Sequence, residues 1–179
     1  MLLENPHLLY EVEQAVTPFL ADELTSLDLA AFMREALVEA VAAGQARELP
    51  IGAVLVWRGQ IIARGRAQHR ELRSDIRHAE LNALLKGGDT LYEHADECIL
   101  FTTTEPCPLC LGAVVMADVP HIVYGLADKV VHSQQIVATN PYVRRHLRTY
   151  YGGVLAEEAV NVFAQYDPRT LVYIQNGGA

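Results

Sequence analysis

His78-Ala79-Glu80 and, further along, Pro106-Cys107-Pro108-Leu109-Cys110 place the tightest constraint on how this chain can fold. One imidazole and two sulfurs are three ligands of the kind zinc takes, and they act together only if both stretches meet at one point. With three protein ligands the fourth tetrahedral position stays open to water, as in catalytic rather than structural zinc sites. A structural site needs a fourth protein ligand. Cys98, His94, His121 and His132 are the candidates, and none stands at a paired spacing with His78. Glu80, two residues past the His, can reach that water as a general base. Either half alone is weak, since Cys-x-x-Cys also reads as a redox pair or half of a structural zinc site. The two halves together, in this order, favour a catalytic metal.

A chain of 179 residues is one ordinary domain, long enough to bury a full core. Hydrophobic residues make up 51%, yet no apolar run approaches membrane-spanning length. Met1 to His7 lacks the basic start and long apolar run of a signal peptide. Three cysteines are too few for a disulfide framework, and Cys98, opening an apolar run, reads as a buried small residue. Metal-binding thiolates survive in a reducing compartment, so a cytoplasmic location is expected.

The net charge of −8 disfavours broad nucleic-acid binding, but the charge is uneven. Residues 1–48 are acid-rich, with Glu11, Glu13, Asp22, Glu23, Glu35 and Glu39 against Arg34 and Arg47. Arg58, Arg64, Arg66, Arg70, Arg73 and Arg77 then face only Glu71 and Asp75. Residues 129–156 hold no acid, and Tyr142, Arg144, Arg145, His146, Arg148, Tyr150 and Tyr151 interleave bases with aromatics there. Such interleaving suits a single-stranded nucleic-acid surface. The competing reading, favoured by the net charge, is a solvated helix or dimer contact whose arginines pair with the acidic amino-terminal segment.

The pattern predicts an extension over residues 1–24, a zinc-bearing domain over 25–167 and a tail over 168–179. Pro6 and Pro18 break any long element in the extension. Thr25-Ser-Leu-Asp28 has the capping-box pattern, and Leu29, Phe32, Met33, Leu37, Ala40 and Val41 follow at helical spacing up to Gly44. Ile51–Trp57 and Ile61–Arg64 read as a hairpin around Arg58-Gly59-Gln60. A helix from Arg77 or His78 to Gly87-Gly88, a strand over Cys98–Thr103, a helix over Pro108–Asp118 and a strand over His121–Tyr124 follow. Val154-Leu155 reads as part of a fifth strand, and Ala156–Gln165 as an amphipathic helix. Leu171-Val-Tyr-Ile174 fits either an added edge strand or a segment crossing to a partner. A hairpin followed by alternating helix and strand implies an α/β sandwich around a mixed sheet. The ligands then fall in the first turns of two helices, whose dipoles favour thiolate over thiol. Cys107 and Cys110, three apart, share a face.

From about Pro50 to Phe163 the chain resembles the cytidine and deoxycytidylate deaminase superfamily. It is most similar to the branch of bacterial tRNA adenosine deaminases, guanine deaminases and fungal-type cytosine deaminases. The matching stretches are Pro50–Val56, His78–Leu84, Thr104–Cys110 and Ile122–Gly125, with Gly153–Glu158 resembling the start of the last helix in the tRNA enzymes. The resemblance implies a three-layer α/β/α sandwich around a five-stranded mixed sheet. It implies one Zn²⁺ per chain held by His78, Cys107 and Cys110, and a homodimer. Its chemistry is hydrolytic, with release of ammonia from an amino-bearing nucleobase, nucleoside or related heterocycle. Glu80 would take the proton of the attacking water and deliver it to the ring, acting as base and then acid.

This branch usually places an Asn, which reads the base, eleven residues before the His ligand. Here that position is Ala67, which has no side-chain donor or acceptor. Either Gln68 or His69 takes over the reading, or the substrate is not a usual base of the family. Ala79 and Thr104, beside the ligands, complete the expected substrate contacts. A small heterocycle is therefore the leading substrate, tRNA adenosine the second. A reading of another class is a non-catalytic zinc-bearing subunit that binds RNA or a partner; such proteins usually lose the Glu, which is present here.

Overall fold

The computed structural model describes residues 19–178, so most of the expected extension lies outside the described residues. Five strands form one mixed sheet in the order β2-β1-β3-β4-β5. β1 (Gly52–Trp57) and β2 (Gln60–Arg66) are the expected hairpin. Its turn residues Arg58 and Gly59 both take positive φ, the backbone that matches the twist of a two-residue hairpin. β3 (Cys98–Thr104) lies antiparallel to β1, while β4 (His121–Leu126) and β5 (Thr149–Tyr151) add in parallel beyond it. All of β3 and β4 is buried, which is why both read as continuous apolar runs rather than alternating ones.

Helices cover both faces. On one side α1 (Leu29–Gln45) is joined by two helices from the end of the chain. Its Met33, Ala36 and Leu37 pack with Val54, Val56 and Phe101 of the sheet and with Phe163, Leu171 and Ile174. On the other side lie α2 (Ala79–Lys86), α3 (Gly88–His94) and α4 (Pro108–Met116), then α5 (Ser133–Thr139) and α6 (Pro141–His146). There Ala83, Leu91, Leu111 and Val114 meet Ala53, Leu55, Leu100 and Tyr124. Strand alternation sends Val54 and Val56 one way and Ala53 and Leu55 the other, so β1 serves both layers. The result is the expected α/β/α sandwich. One strand glycine matters to the site. A Cβ at Gly65 would strike the Ala79 carbonyl and the Ala83 amide, so only glycine lets α2 settle this close to β2.

Several elements depart from expectation for physical reasons. Asp28, not Thr25, caps α1 by accepting from the Ala31 N–H at 3.0 Å, because the Thr25 hydroxyl donates to the Asp22 carbonyl. The fifth strand is Thr149–Tyr151 rather than Val154-Leu155; Leu155 instead takes a left-handed backbone at the start of α7 (Ala156–Tyr166). α3, α5 and α6 are too short to show a period. Leu171-Val-Tyr-Ile174 is helical, within α8 (Pro168–Gln175), because Asp167 accepts from the Thr170 N–H and hydroxyl and Pro168 opens the first turn.

Candidate active site

The two motif halves arrive from opposite elements. β2 turns through the loop 67–77 into α2, with His78 at its cap position and Glu80 in its first turn. β3 ends at Thr104 and leads into α4, with Cys107 at the cap, Pro108 next and Cys110 one turn in. Two helix N-termini thus face each other across the site.

The donor atoms of His78, Cys107 and Cys110 all lie within 4.8 Å of one another. The His78 Nδ1 is 3.5 Å from the Cys107 sulfur and 3.4 Å from the Cys110 sulfur. Tetrahedral zinc, with bonds of about 2.3 Å to sulfur and 2.0–2.1 Å to nitrogen, would hold such atoms roughly 3.5 Å apart. The donor set therefore fits zinc in both chemistry and spacing. The other ring nitrogen, Nε2, donates to the Asp75 carbonyl at 3.0 Å, which turns the Nδ1 lone pair toward the sulfurs.

Without a metal the three donors hold their protons unevenly, and binding a cation would displace those on Cys110 and His78. The neighbouring Cys110 side chain pulls the Cys107 thiol down to about 4, while the same contact pushes Cys110 up. The bond to Cys107 also raises His78. Glu80 is buried, and loss of solvent raises its carboxyl above the ordinary range. Its Oε1 accepts from the Thr102 hydroxyl at 3.1 Å and its Oε2 from the Cys110 sulfur at 3.3 Å. A carboxyl with raised proton affinity, pinned beside the donor set, is a group built to take and return one proton.

A cavity of about 210 Å³ opens over these residues. Ala67, His69, Ala79 and Thr104 line it, together with His78, Glu80 and Cys107. The four expected substrate contacts are not equally placed. His69 stands at the wall, its ring edge-on to His78 with centroids 5.0 Å apart. Gln68 does not line the cavity: its Nε2 donates to Glu71 and its Oε1 accepts from Asn82. The Thr104 hydroxyl is buried with no partner. Ala67 offers the wall no side-chain donor or acceptor. Leu49, Ile51 and Glu105 line it as well, as do Asp128, Val130 and Val131 after β4, and Thr170, Tyr173 and Ile174 of α8. No spacing in the sequence ties the residues after β4 and of α8 to the zinc motif; the Asp167-Pro168 helix start was the one available signal for α8.

The arginines of the basic and aromatic stretch lie elsewhere, although its Tyr150 reaches Glu105 in the cavity wall. Tyr150 is fully buried and donates to Glu105, and Arg148 pairs with Glu23 at 2.8 Å, as the paired reading expects. Arg144 lies over the Phe19 ring and Arg145 over Tyr142. The Arg148 N–H donates to the carbonyl of Pro120, just before β4, whereas the cavity lies beyond the far end of that strand. Six residues of strand separate the two ends, about 20 Å.

The family model for the cytidine and deoxycytidylate deaminase zinc-binding region matches residues 27–126, more than half of the chain. The chain is 34% identical over 140 residues to a tRNA-specific adenosine deaminase of Streptococcus pyogenes serotype M1, spanning 75% of this chain and 81% of that protein. It is 45% identical over 101 residues to the chloroplastic tRNA(adenine(34)) deaminase of Arabidopsis thaliana, covering 56% of this chain but only 8% of that much longer protein. A solved structure from work on A-to-I editing by tRNA:A34 deaminases superposes with a TM-score of 0.64 at 32% identity, over 74% of this chain and 98% of that one. The chain belongs to the cytidine and deoxycytidylate deaminase zinc-binding family.

Proposed function

We propose that the chain removes the amino group of a nucleobase ring seated in the 210 Å³ cavity, with Glu80 carrying the proton. The observation that supports this most is the sealed Glu80 carboxyl beside three zinc donors at the cavity floor. His78, Cys107 and Cys110 would hold a zinc ion, which would supply the Lewis acidity that makes water a nucleophile near neutral pH. Glu80 takes one proton of the attacking water and delivers it to the ring nitrogen as the oxygen adds to the amino-bearing carbon. It then passes the remaining hydroxyl proton to the amine, and the C–N bond breaks to release ammonia as the C=O forms. Thr102 keeps one carboxyl oxygen fixed so that the other faces the reacting atoms. The Ala79 N–H, among the unpaired amides at the start of α2, is available to a ring acceptor. His69 takes the place of the absent Asn at the wall.

A cavity of this size suits a free base, a nucleoside or a base presented by a larger molecule. Adenosine in tRNA is the second reading, favoured by the 34% identity over most of the length of a tRNA-specific relative. We assign the chain to a reducing, cytoplasmic setting on the strength of its thiolate donors. The homodimer rests on the resemblance and on Ile76, Leu109 and Met116, large apolar side chains left exposed near the site and along α4. No helix among the described residues is long and apolar enough to cross a membrane.

The deciding experiment is ammonia release by the zinc-replete chain from a panel of bases and nucleosides, beside inosine formation in a tRNA anticodon stem. Ammonia from a small heterocycle supports the first reading, inosine the second. Neither product from any substrate would overturn both and leave a zinc-bearing binding subunit.

A further inference from the structure

Beside the base cavity lies a second one of about 330 Å³ that shares Leu49 and His69 with it. Arg47, Arg70 and Tyr166 line it, along with the carboxylates of Glu48 and Asp167. Those two carboxylates are already engaged by backbone amides. Glu48 is 6% exposed and accepts from the Arg70 N–H at 2.9 and 3.1 Å and from the Glu71 N–H at 2.7 Å. Asp167 caps α8 through the Thr170 N–H and hydroxyl. The guanidiniums are not so engaged. Arg58, Arg64, Arg66 and Arg148 each form an ion pair, whereas among the described residues no carboxylate lies within 4.0 Å of the Arg47 or Arg70 side chain. Tyr166 is fixed in the same wall: its ring lies so close over Gly44 of α1 that a Cβ there would collide with it.

Two unpaired guanidiniums and an aromatic wall, next to a cavity with room for one heterocycle, make a recognisable combination. Guanidinium binds phosphate oxygens in pairs, and an aromatic face packs against a base or sugar. We propose that the second cavity is a phosphate-ester subsite, so that the substrate is a nucleotide whose base enters past His69 while its phosphate meets Arg47 and Arg70. This deepens the deaminase reading and rests on it. A phosphomonoester and the phosphodiester of a single strand share this chemistry.

The test is binding, which does not require turnover. Zinc-replete Glu80→Gln protein, full length, is titrated with adenosine, cytidine and guanosine, with their 5′-monophosphates, and with a short single-stranded RNA of mixed sequence. The Arg47→Ala/Arg70→Ala variant is measured in the same background; it keeps the Arg70 N–H on which Glu48 depends. At least one nucleoside series should gain about tenfold or more from its phosphate, and the Arg pair should account for that gain while nucleoside binding stays unchanged. The slope of log K against log salt should fall by about one for each phosphate contact removed. A gain with the monophosphate assigns the phosphomonoester, and a gain with the RNA alone assigns the strand. Equal binding with and without phosphate overturns the subsite, as does an equal loss for nucleoside and nucleotide in the Arg variant. Failure of the deaminase reading shows separately, as absence of product from the parent chain despite phosphate-dependent binding.

Discussion

On one wall of the base cavity stand His78, Glu80 and Cys107, with the buried Cys110 behind them, carried on the first turns of two helices and fixed by short local spacings. On the other stand His69 from the loop 67–77, Asp128 from the turn after β4, and Thr170 and Tyr173 from the last helix. The first wall performs the chemistry and admits little change, since three donors must meet at one point. The second is assembled from distant segments, each held by its own backbone bonds, so it can be rebuilt without disturbing the metal. Ala67, with no side-chain donor or acceptor, stands in this second wall. Specificity and reactivity are therefore separable in this molecule, and substitutions on the two walls should differ in kind.

The largest effects belong to the metal wall. Cys107→Ala leaves two donors where three stood, so zinc content measured by atomic absorption should fall well below one per chain, with local unfolding around α4. Stoichiometric zinc in that variant would remove Cys107 from the ligand set. Glu80→Gln keeps the donors and loses the proton carrier, so zinc content should hold while turnover drops by about 10²–10⁴-fold. Rapid turnover in Glu80→Gln would move the proton transfer to another group.

Next in size is a change that reaches the metal wall from outside it. Gly65→Ala forces a methyl against the backbone of α2, an overpacking that costs about 1–3 kcal/mol. The midpoint of thermal unfolding should fall by about 2–10 °C, and zinc affinity should weaken because His78 and Glu80 move with the helix. An unchanged zinc affinity alongside a lowered midpoint would show that the strain is absorbed away from His78, and that the metal wall does not depend on this close approach.

The same division explains what the sequence disclosed. The metal wall was legible because its residues follow helix spacing and sit at helix starts: Cys107 and Cys110 are one turn apart, and Pro108 opens α4. The sandwich was legible because β1, β3 and β4 are buried on both faces and read as unbroken apolar runs. The substrate wall was not, because its members meet only through the fold. Gln68 and His69 are neighbours with equal claims as readers in the sequence; Glu71 and Asn82 draw Gln68 away, while His69 stays at the cavity. α8 was misread because an apolar run of four does not distinguish helix from strand, and the decision fell to the cap at Asp167.

The smallest predicted effect tests whether the second wall has its own support. Glu48, far from the donors, accepts three bonds from the amides of Arg70 and Glu71, immediately after His69. The Ser74 N–H donates to the His69 carbonyl, so this loop is closed on itself and clamped from α1's side by one carboxylate. Glu48→Gln keeps the shape but gives up the charge and part of the acceptor capacity, a loss of about 1–3 kcal/mol in the loop's anchoring. If His69 reads the substrate, KM should rise several-fold with kcat and zinc content nearly unchanged, because the proton path through Glu80 does not pass through this loop. In a His69→Ala background the same substitution should leave KM where it is, since the group it positions has gone. A KM increase that persists without His69 would assign the effect of Glu48 to general loosening of the fold, and the two walls would then share one support rather than two.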